Sequence, residues 1–186
     1  MKNLSQTLKL QLAVMGGFLV SLWSLEIVDE VVLRGNLDRH GIVPRSLDGL
    51  DGILWAPLLH GNFAHLLANS VPLLILGWLI LARGGKDFAG VTAIAWLLGG
   101  LGTWMFGHSG VHIGASGVVF GYLGYLMALG YYERKFTTVL LSLGVGYFFG
   151  SCLFGILPGQ HGISWEGHLF GLLGGILAAR LLARKS

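Results

Sequence analysis

Six apolar stretches follow one another along this chain, at about 10–32, 62–82, 89–107, 116–132, 137–157 and 165–183. Each is about long enough to cross a hydrocarbon layer roughly 30 Å thick at 1.5 Å per residue. No other feature restricts the fold as strongly. Backbone in hydrocarbon has to satisfy its own hydrogen bonds, so the stretches predict spanning helices and an all-α membrane bundle. Composition agrees. The 186 residues are 54% hydrophobic and 11% charged, where soluble domains carry about 25% charged residues. The length suits one domain over 1–186 rather than two. Cys152 is the single cysteine, which excludes a disulfide framework and a cysteine-based metal site. Lys2 and Lys9 precede the run Leu10 to Leu25 as in a secretory signal; no convincing small-residue cleavage site follows, so the run reads as a first span that stays.

The one long connection, 33–61, mixes glycines, Pro44 and Pro57 with Leu, Ile and Trp55, and reads as a loop lying in the membrane interface. Basic residues set the orientation. Lys2, Lys9, Arg83, Lys86, Arg134, Lys135, Arg180, Arg184 and Lys185 fall on one side, against Arg34, Arg39 and Arg45 on the other. Both termini are therefore expected in the cytoplasm, with the cell membrane as the location. This placement gives the pI near 9.2 a topological meaning, so no nucleic-acid partner is expected. Most acidic residues and all seven histidines lie toward the outer side. Of these, Glu26, Asp29 and Glu30 read as a solvated face of the first span. His108, His112 and His161 read as residues of mobile, glycine-rich loops and not as a ligand set, so neither a metal nor another cofactor is expected. The chain contains no HExxH, which argues against a zinc membrane protease.

Spacing then brings three polar residues to one level. His65 lies 18 residues before Arg83, Ser116 18 before Arg134, and His168 16 before Arg184. At 1.5 Å per residue these are about 27, 27 and 24 Å above the inner boundary. Polar groups at such depth face the bundle interior and find partners. The sixth span carries Gly167, Gly171 and Gly175, and the fourth carries Gly117, Gly121 and Gly124. Small residues at this spacing let two helices pack backbone to backbone. Ser116 and His168 share one end of that seam, which gives the two parts of a base-activated nucleophile without a carboxylate third member. Gly171→Val should therefore damage catalysis, Gly171→Ala should be milder, and Gly130→Ala, far from the pair, should be tolerated. His65 and Asn69 are four apart on one helix face. With the unpaired backbone N–H at Ser116, they form a candidate oxyanion site. Alone, such a serine is more often a helix cap or a packing residue and such a histidine more often a satisfied core histidine, and it is the two together at matched depth that favour catalysis; His65 and Asn69 read also as interhelical hydrogen-bond partners.

The stretches "HGNFAHLLAN" at 60–69, "GASG" at 114–117 and "GHLFGLLGG" at 167–175 resemble the rhomboid intramembrane serine proteases. The resemblance implies a six-transmembrane-helix bundle that cleaves single-pass membrane proteins within the bilayer. It implies Ser116 as nucleophile, His168 as base, and His65, Asn69 and the Ser116 N–H as oxyanion donors. It makes His60 a structural motif histidine, Gly114 and Gly117 part of the serine motif, and the fifth span a lateral gate. Two positions depart from the pattern. Asp51-Gly52 stands where many members have Trp-Arg, and Phe120 stands where Tyr often packs on the catalytic histidine. A catalytically inactive relative that binds membrane segments is the alternative; such relatives usually lack the serine or the histidine, and this chain has both. A small transporter is a third reading, but no internal repeat or midplane ionisable residue supports it.

Overall fold

The computed structural model describes residues 4–160 and 162–184. Lys2, His161, Lys185 and Ser186 lie outside the described residues. Among the described residues there are seven α-helices: α1 Leu4–Val28, α2 Gly52–Trp55, α3 Phe63–Arg83, α4 Gly85–Phe106, α5 Ser116–Glu133, α6 Phe136–Phe149 and α7 Trp165–Leu182. The sequence reading has six. The extra helix is the single turn α2, inside the 33–61 connection. Among the described residues, four segments are long and apolar enough to cross a membrane: Leu4–Leu33, Phe63–Arg83, Gly85–Phe106 and Phe136–Ile156.

Local chemistry sets the helix ends. A wide π-helical turn, Asp29–Leu33, continues α1 and stops at Arg34, which adopts a left-handed conformation at φ 56°. Asn62 caps α3 by accepting the His65 N–H on its side chain at 2.8 Å. Gly84, at φ 142°, divides α3 from α4. Arg134, again left-handed, ends α5. Past Phe149 the α6 helix tightens into 3-10 turns through Ile156.

The α5 helix is the centre of the bundle. Twelve of its eighteen residues are buried, among them Tyr122, Tyr125, Leu126 and Leu129. It packs on α3, α4, α6 and α7. Its closest partner is α7, along the glycine seam. A Cβ on Gly171 would strike the Gly117 carbonyl oxygen, and one on Gly175 the Gly121 carbonyl oxygen. The two backbones thus touch, as small-residue interfaces permit. By contrast α6 buries only Thr138 and Val145, and Tyr147, Phe148 and Phe154 are exposed.

The connection 33–61 is pinned rather than loose. Trp96 Nε1 donates to the Ile53 carbonyl at 2.8 Å, and Trp104 Nε1 to the Ser46 carbonyl at 2.8 Å. Ile42 and His112 exchange backbone hydrogen bonds at 2.9 Å. Leu47, Leu54 and Trp55 remain exposed on this connection.

At the opposite end an ion network ties four segments together. Arg83 Nη2 donates to Glu133 Oε1 at 2.5 Å. Arg184 donates from its backbone N–H to the same oxygen at 2.9 Å, and from Nη2 to Asp87 Oδ2 at 2.9 Å. Arg83 and Arg184, read above only as topology markers, are therefore partners of the carboxylates of α4 and α5.

Two sequence expectations fail here. Glu26 and Asp29 are 2% and 3% exposed, so they are no solvated face. The turn after α1 folds inward: Asp29 Oδ1 accepts the Leu37 N–H at 2.9 Å and its carbonyl accepts the Gly35 N–H at 3.1 Å. Gly130 is no open position either, since a Cβ there would lie 2.8 Å from Val139 Cα and 2.9 Å from Ser142 Oγ.

Candidate active site

The serine that opens α5 and the histidine in the first turn of α7 meet at the head of the seam. Ser116 Oγ lies 2.8 Å from His168 Nε2. The other ring nitrogen, Nδ1, lies 2.9 Å from the Gly155 carbonyl in the turns after α6. A carbonyl only accepts, so Nδ1 carries the proton and Nε2 presents its lone pair to the serine hydroxyl. The role played by a carboxylate in a triad, fixing the tautomer, falls here to a backbone oxygen. Phe120, one turn along α5 from Ser116, stacks on the imidazole with ring centroids 4.1 Å apart and planes 9° apart. The ring alone provides this contact, so the absence of a tyrosine hydroxyl leaves it intact.

Ser116 sits at a helix start because the chain turns sharply before it. Gly114 has φ +116°, and a Cβ there would lie 2.7 Å from both Cε1 and Nε2 of His65. A side chain at 114 is therefore strained in backbone and blocked by the ring. The first α5 hydrogen bond in the helix ladder runs from the Val119 N–H to the Ala115 carbonyl at 3.0 Å. That leaves the amides of Ser116, Gly117 and Val118 outside the ladder. The Ala115 N–H donates to His60 Nε2 at 3.3 Å. Burial and then the neighbouring His65 hold His60 down at about 4, so the ring stays neutral and can accept this bond. His60 thus props the turn that aims Ser116.

His65 and Asn69 stand across from that turn. Asn69 is 6% exposed, and its Nδ2 donates along its own helix to the His65 carbonyl at 3.2 Å. The His65 ring meets the His60 ring edge-on at 5.1 Å. A cavity of about 550 Å³ unites them: His65, Asn69, Ser116, Phe120 and His168 all line it, with Phe149 and Cys152 from the α6 side. All five polar positions selected from sequence thus converge: Ser116, His168, His65 and Asn69 on the cavity, and His60 directly behind. Gly117 and Gly171 form the backbone contact beneath.

Three features escaped the sequence reading. Gly155 supplies the carbonyl that orients His168; a backbone oxygen leaves no residue-type signal. His108 and His112 lie in a loop, as expected, but are packed within it: their rings meet edge-on with centroids 4.5 Å apart, and His112 is 6% exposed. Burial lowers the His112 pKa from its ordinary value. Glu166 accepts the His108 N–H at 2.9 Å and lies beside its ring. The i, i+4 spacing of the two histidines was the available signal.

Such a bundle, built on apolar helices and holding a part-buried serine against a histidine beside a cavity, defines the class: a membrane protein that is all-helical over its described residues. The model of the Rhomboid domain matches residues 50–185. The chain is 44% identical over 194 residues to "Uncharacterized protein Rv1337" of Mycobacterium tuberculosis (strain ATCC 25618 / H37Rv), covering 96% of this chain and 80% of that one. It is 40% identical over 175 residues to "Uncharacterized protein ML1171" of Mycobacterium leprae (strain TN), covering 89% and 69%. It is 33% identical over 138 residues to "Putative rhomboid protease YdcA" of Bacillus subtilis (strain 168), covering 69% and 65%. The chain belongs to the rhomboid family.

Proposed function

We propose that this protein is an intramembrane serine endopeptidase that cleaves transmembrane segments of single-pass membrane proteins through a Ser116–His168 dyad. The observation that carries the reading is the 2.8 Å contact between Ser116 Oγ and a His168 Nε2 whose tautomer is fixed from behind. Ser116 Oγ attacks the scissile carbonyl and His168 Nε2 takes its proton. The oxyanion that forms is held by the Ser116 N–H, with His65 and Asn69 as further donors on the cavity wall. The imidazolium then protonates the leaving amine, and water, activated by the same nitrogen, releases the acyl group. Nucleophile, base and oxyanion donors all come from side chains and backbone, so the reaction requires no cofactor.

Substrate entry has a physical route. An apolar groove of about 500 Å³ runs between α3 and α6, lined by Ile75, Leu79, Leu140, Leu141, Val145 and Phe148. Movement of the thinly buried α6 would connect it to the dyad cavity, whose wall includes Phe149. In this reading α5 and α7 cross the bilayer with the four longer apolar segments, giving six spans. The ion network of Arg83, Asp87, Glu133 and Arg184 faces the cytoplasm, as do both termini, in the cell membrane. The alternative, an inactive binder of membrane segments, finds no support in a site that keeps both dyad members in contact. Incubating a single-pass substrate with the wild type and with Ser116→Ala tests the reading. Cleavage by the wild type alone is expected, and substantial turnover by purified Ser116→Ala would refute it.

A further inference from the structure

A second cluster of chemistry-bearing side chains lies at the rim of the same cavity. His108 and His112 belong to the connection between α4 and α5, and Glu166 to the first turn of α7. One donor atom from each lies within 4.8 Å of the other two. Glu166 is 2% exposed and His112 6%, while the His108 side chain is 53% exposed. His108 Nδ1 lies 3.2 Å from both Glu166 oxygens. An ion pair would account for that contact by itself. It does not account for a second imidazole buried edge-on against the first.

The hydrogen bonds of His112 explain what it is ready to do. Its Nε2 lies 2.8 Å from the His108 carbonyl, which can only accept, so Nε2 carries the proton. Nδ1 therefore keeps its lone pair, and the Ser164 hydroxyl donates to it at 2.7 Å. A neutral imidazole whose N–H is held by a backbone carbonyl, and whose other nitrogen keeps a lone pair engaged only by a hydroxyl proton, has the second-shell support of metal-ligating histidines. Two imidazoles and one carboxylate suit a borderline divalent ion, with a fourth position left for water or the Ser164 hydroxyl.

We propose that His108, His112 and Glu166 form a site for a divalent transition-metal ion, zinc by its donor set, which is bound from the outer face and clamps the α4–α5 connection onto the first turn of α7. Tetrahedral zinc, with bonds of about 2.0–2.2 Å, sets its ligand atoms roughly 3.4 Å apart. The cluster therefore has to contract by up to about 1.4 Å, and the half-exposed His108 is the member free to move. The site is separate from the dyad assignment, since none of its three ligands touches Ser116 or takes part in proton transfer.

The test uses the full chain, purified in detergent without a histidine tag and stripped with a chelator, titrated with zinc chloride by calorimetry at pH 7.5. We expect saturable binding of one zinc per chain and a raised thermal midpoint. Loss of a second-shell partner commonly weakens metal binding about 10–100-fold. His108→Ala, which removes an exposed ligand and spares the core, should therefore weaken binding at least about tenfold. The same change at His40, another outer-side histidine, should leave affinity unchanged. Glu166→Gln provides a second ligand variant with the side-chain shape retained. Lack of saturable binding, or a loss of less than about tenfold in both His108→Ala and Glu166→Gln, would overturn the proposal. Neither readout depends on proteolysis, so failure of the protease reading would leave this result interpretable.

Discussion

Replacing Gly171 by alanine adds one carbon at a backbone-to-backbone contact one helical turn below the dyad. The seam has no room for it. A Cβ on Gly171 falls against the Gly117 carbonyl oxygen, 2.9 Å from Gly117 C and 3.1 Å from its Cα. Ordinary carbon–carbon contact lies near 3.5–4.0 Å, so α5 and α7 have to separate by about 1 Å. Neither side can yield locally, because both surfaces are backbone. Over-packing of this kind costs about 1–3 kcal/mol, which the rest of the bundle can sustain. Catalysis is less tolerant. Ser116 rides on α5 and His168 on α7, so the separation enters the 2.8 Å dyad contact directly. A misplacement of about 1 Å can cost on the order of 10²-fold in rate. Gly171→Ala is therefore expected to lower kcat/KM for a single-pass substrate by about 10²-fold while still accumulating in the membrane. The first added atom already meets the obstacle, and Gly171→Val, which adds two more carbons there, is expected to cleave more poorly still. Gly16→Ala on α1 is the control: nothing lies within 4 Å of a Cβ there, and activity should stay within about twofold, with a small gain from helix propensity. Gly171→Ala cleaving within about threefold of wild type, with an unchanged melting temperature, would refute the argument that this backbone contact sets the dyad distance.

Two further perturbations probe the two ends of the bundle. Arg83→Met leaves Glu133 buried without its guanidinium, and breaking a buried pair typically costs about 3–5 kcal/mol; unfolding in mixed micelles should show a loss toward the lower end of that range, because the Arg184 N–H remains, and an unchanged midpoint would refute the network's role. The Asp38 carboxyl is pushed up to about 6 by burial and then by the charges of Asp29 and Glu30, so its favourable contribution is fully present below its ordinary value of 3.8 and is lost as pH rises through 6. Asp38→Asn should therefore raise the melting temperature by about a few degrees at pH 7.5 and hardly at all at pH 4; an equal gain at both would contradict the assignment.

Much of this organisation can be read from sequence because hydrocarbon punishes irregular backbone. The apolar stretch 62–82 is observed as the helix Phe63–Arg83, and 165–183 as the helix Trp165–Leu182. Asn62, Gly84 and the basic clusters mark those ends by local chemistry. The residues of the candidate site were legible for a related reason: Ser116, His168, His65 and Asn69 are polar groups at one depth, and the glycine periodicities state which faces approach. What stayed hidden depends on the rotation of helices and on chain folding between distant segments. Glu26 and Asp29 look like a wet face until the turn at 29–37 folds over them. His108 and His112 look like unpartnered loop residues until α7 brings Glu166 beside them. Gly130 looks remote until α6 packs on it, and the Gly155 carbonyl has no side chain to announce it.

The central claim is that Ser116 is a nucleophile activated by His168. Reaction of the purified protein with a fluorophosphonate, followed by mass spectrometry of the modified peptide, tests it most directly, because the reagent bonds only to an activated hydroxyl. The account predicts stoichiometric modification of Ser116 in the wild type, little or none in His168→Ala, and no transfer of label to another serine in Ser116→Ala. A wild type that stays unlabelled, or a His168→Ala variant labelled at Ser116 at the wild-type rate, would contradict it.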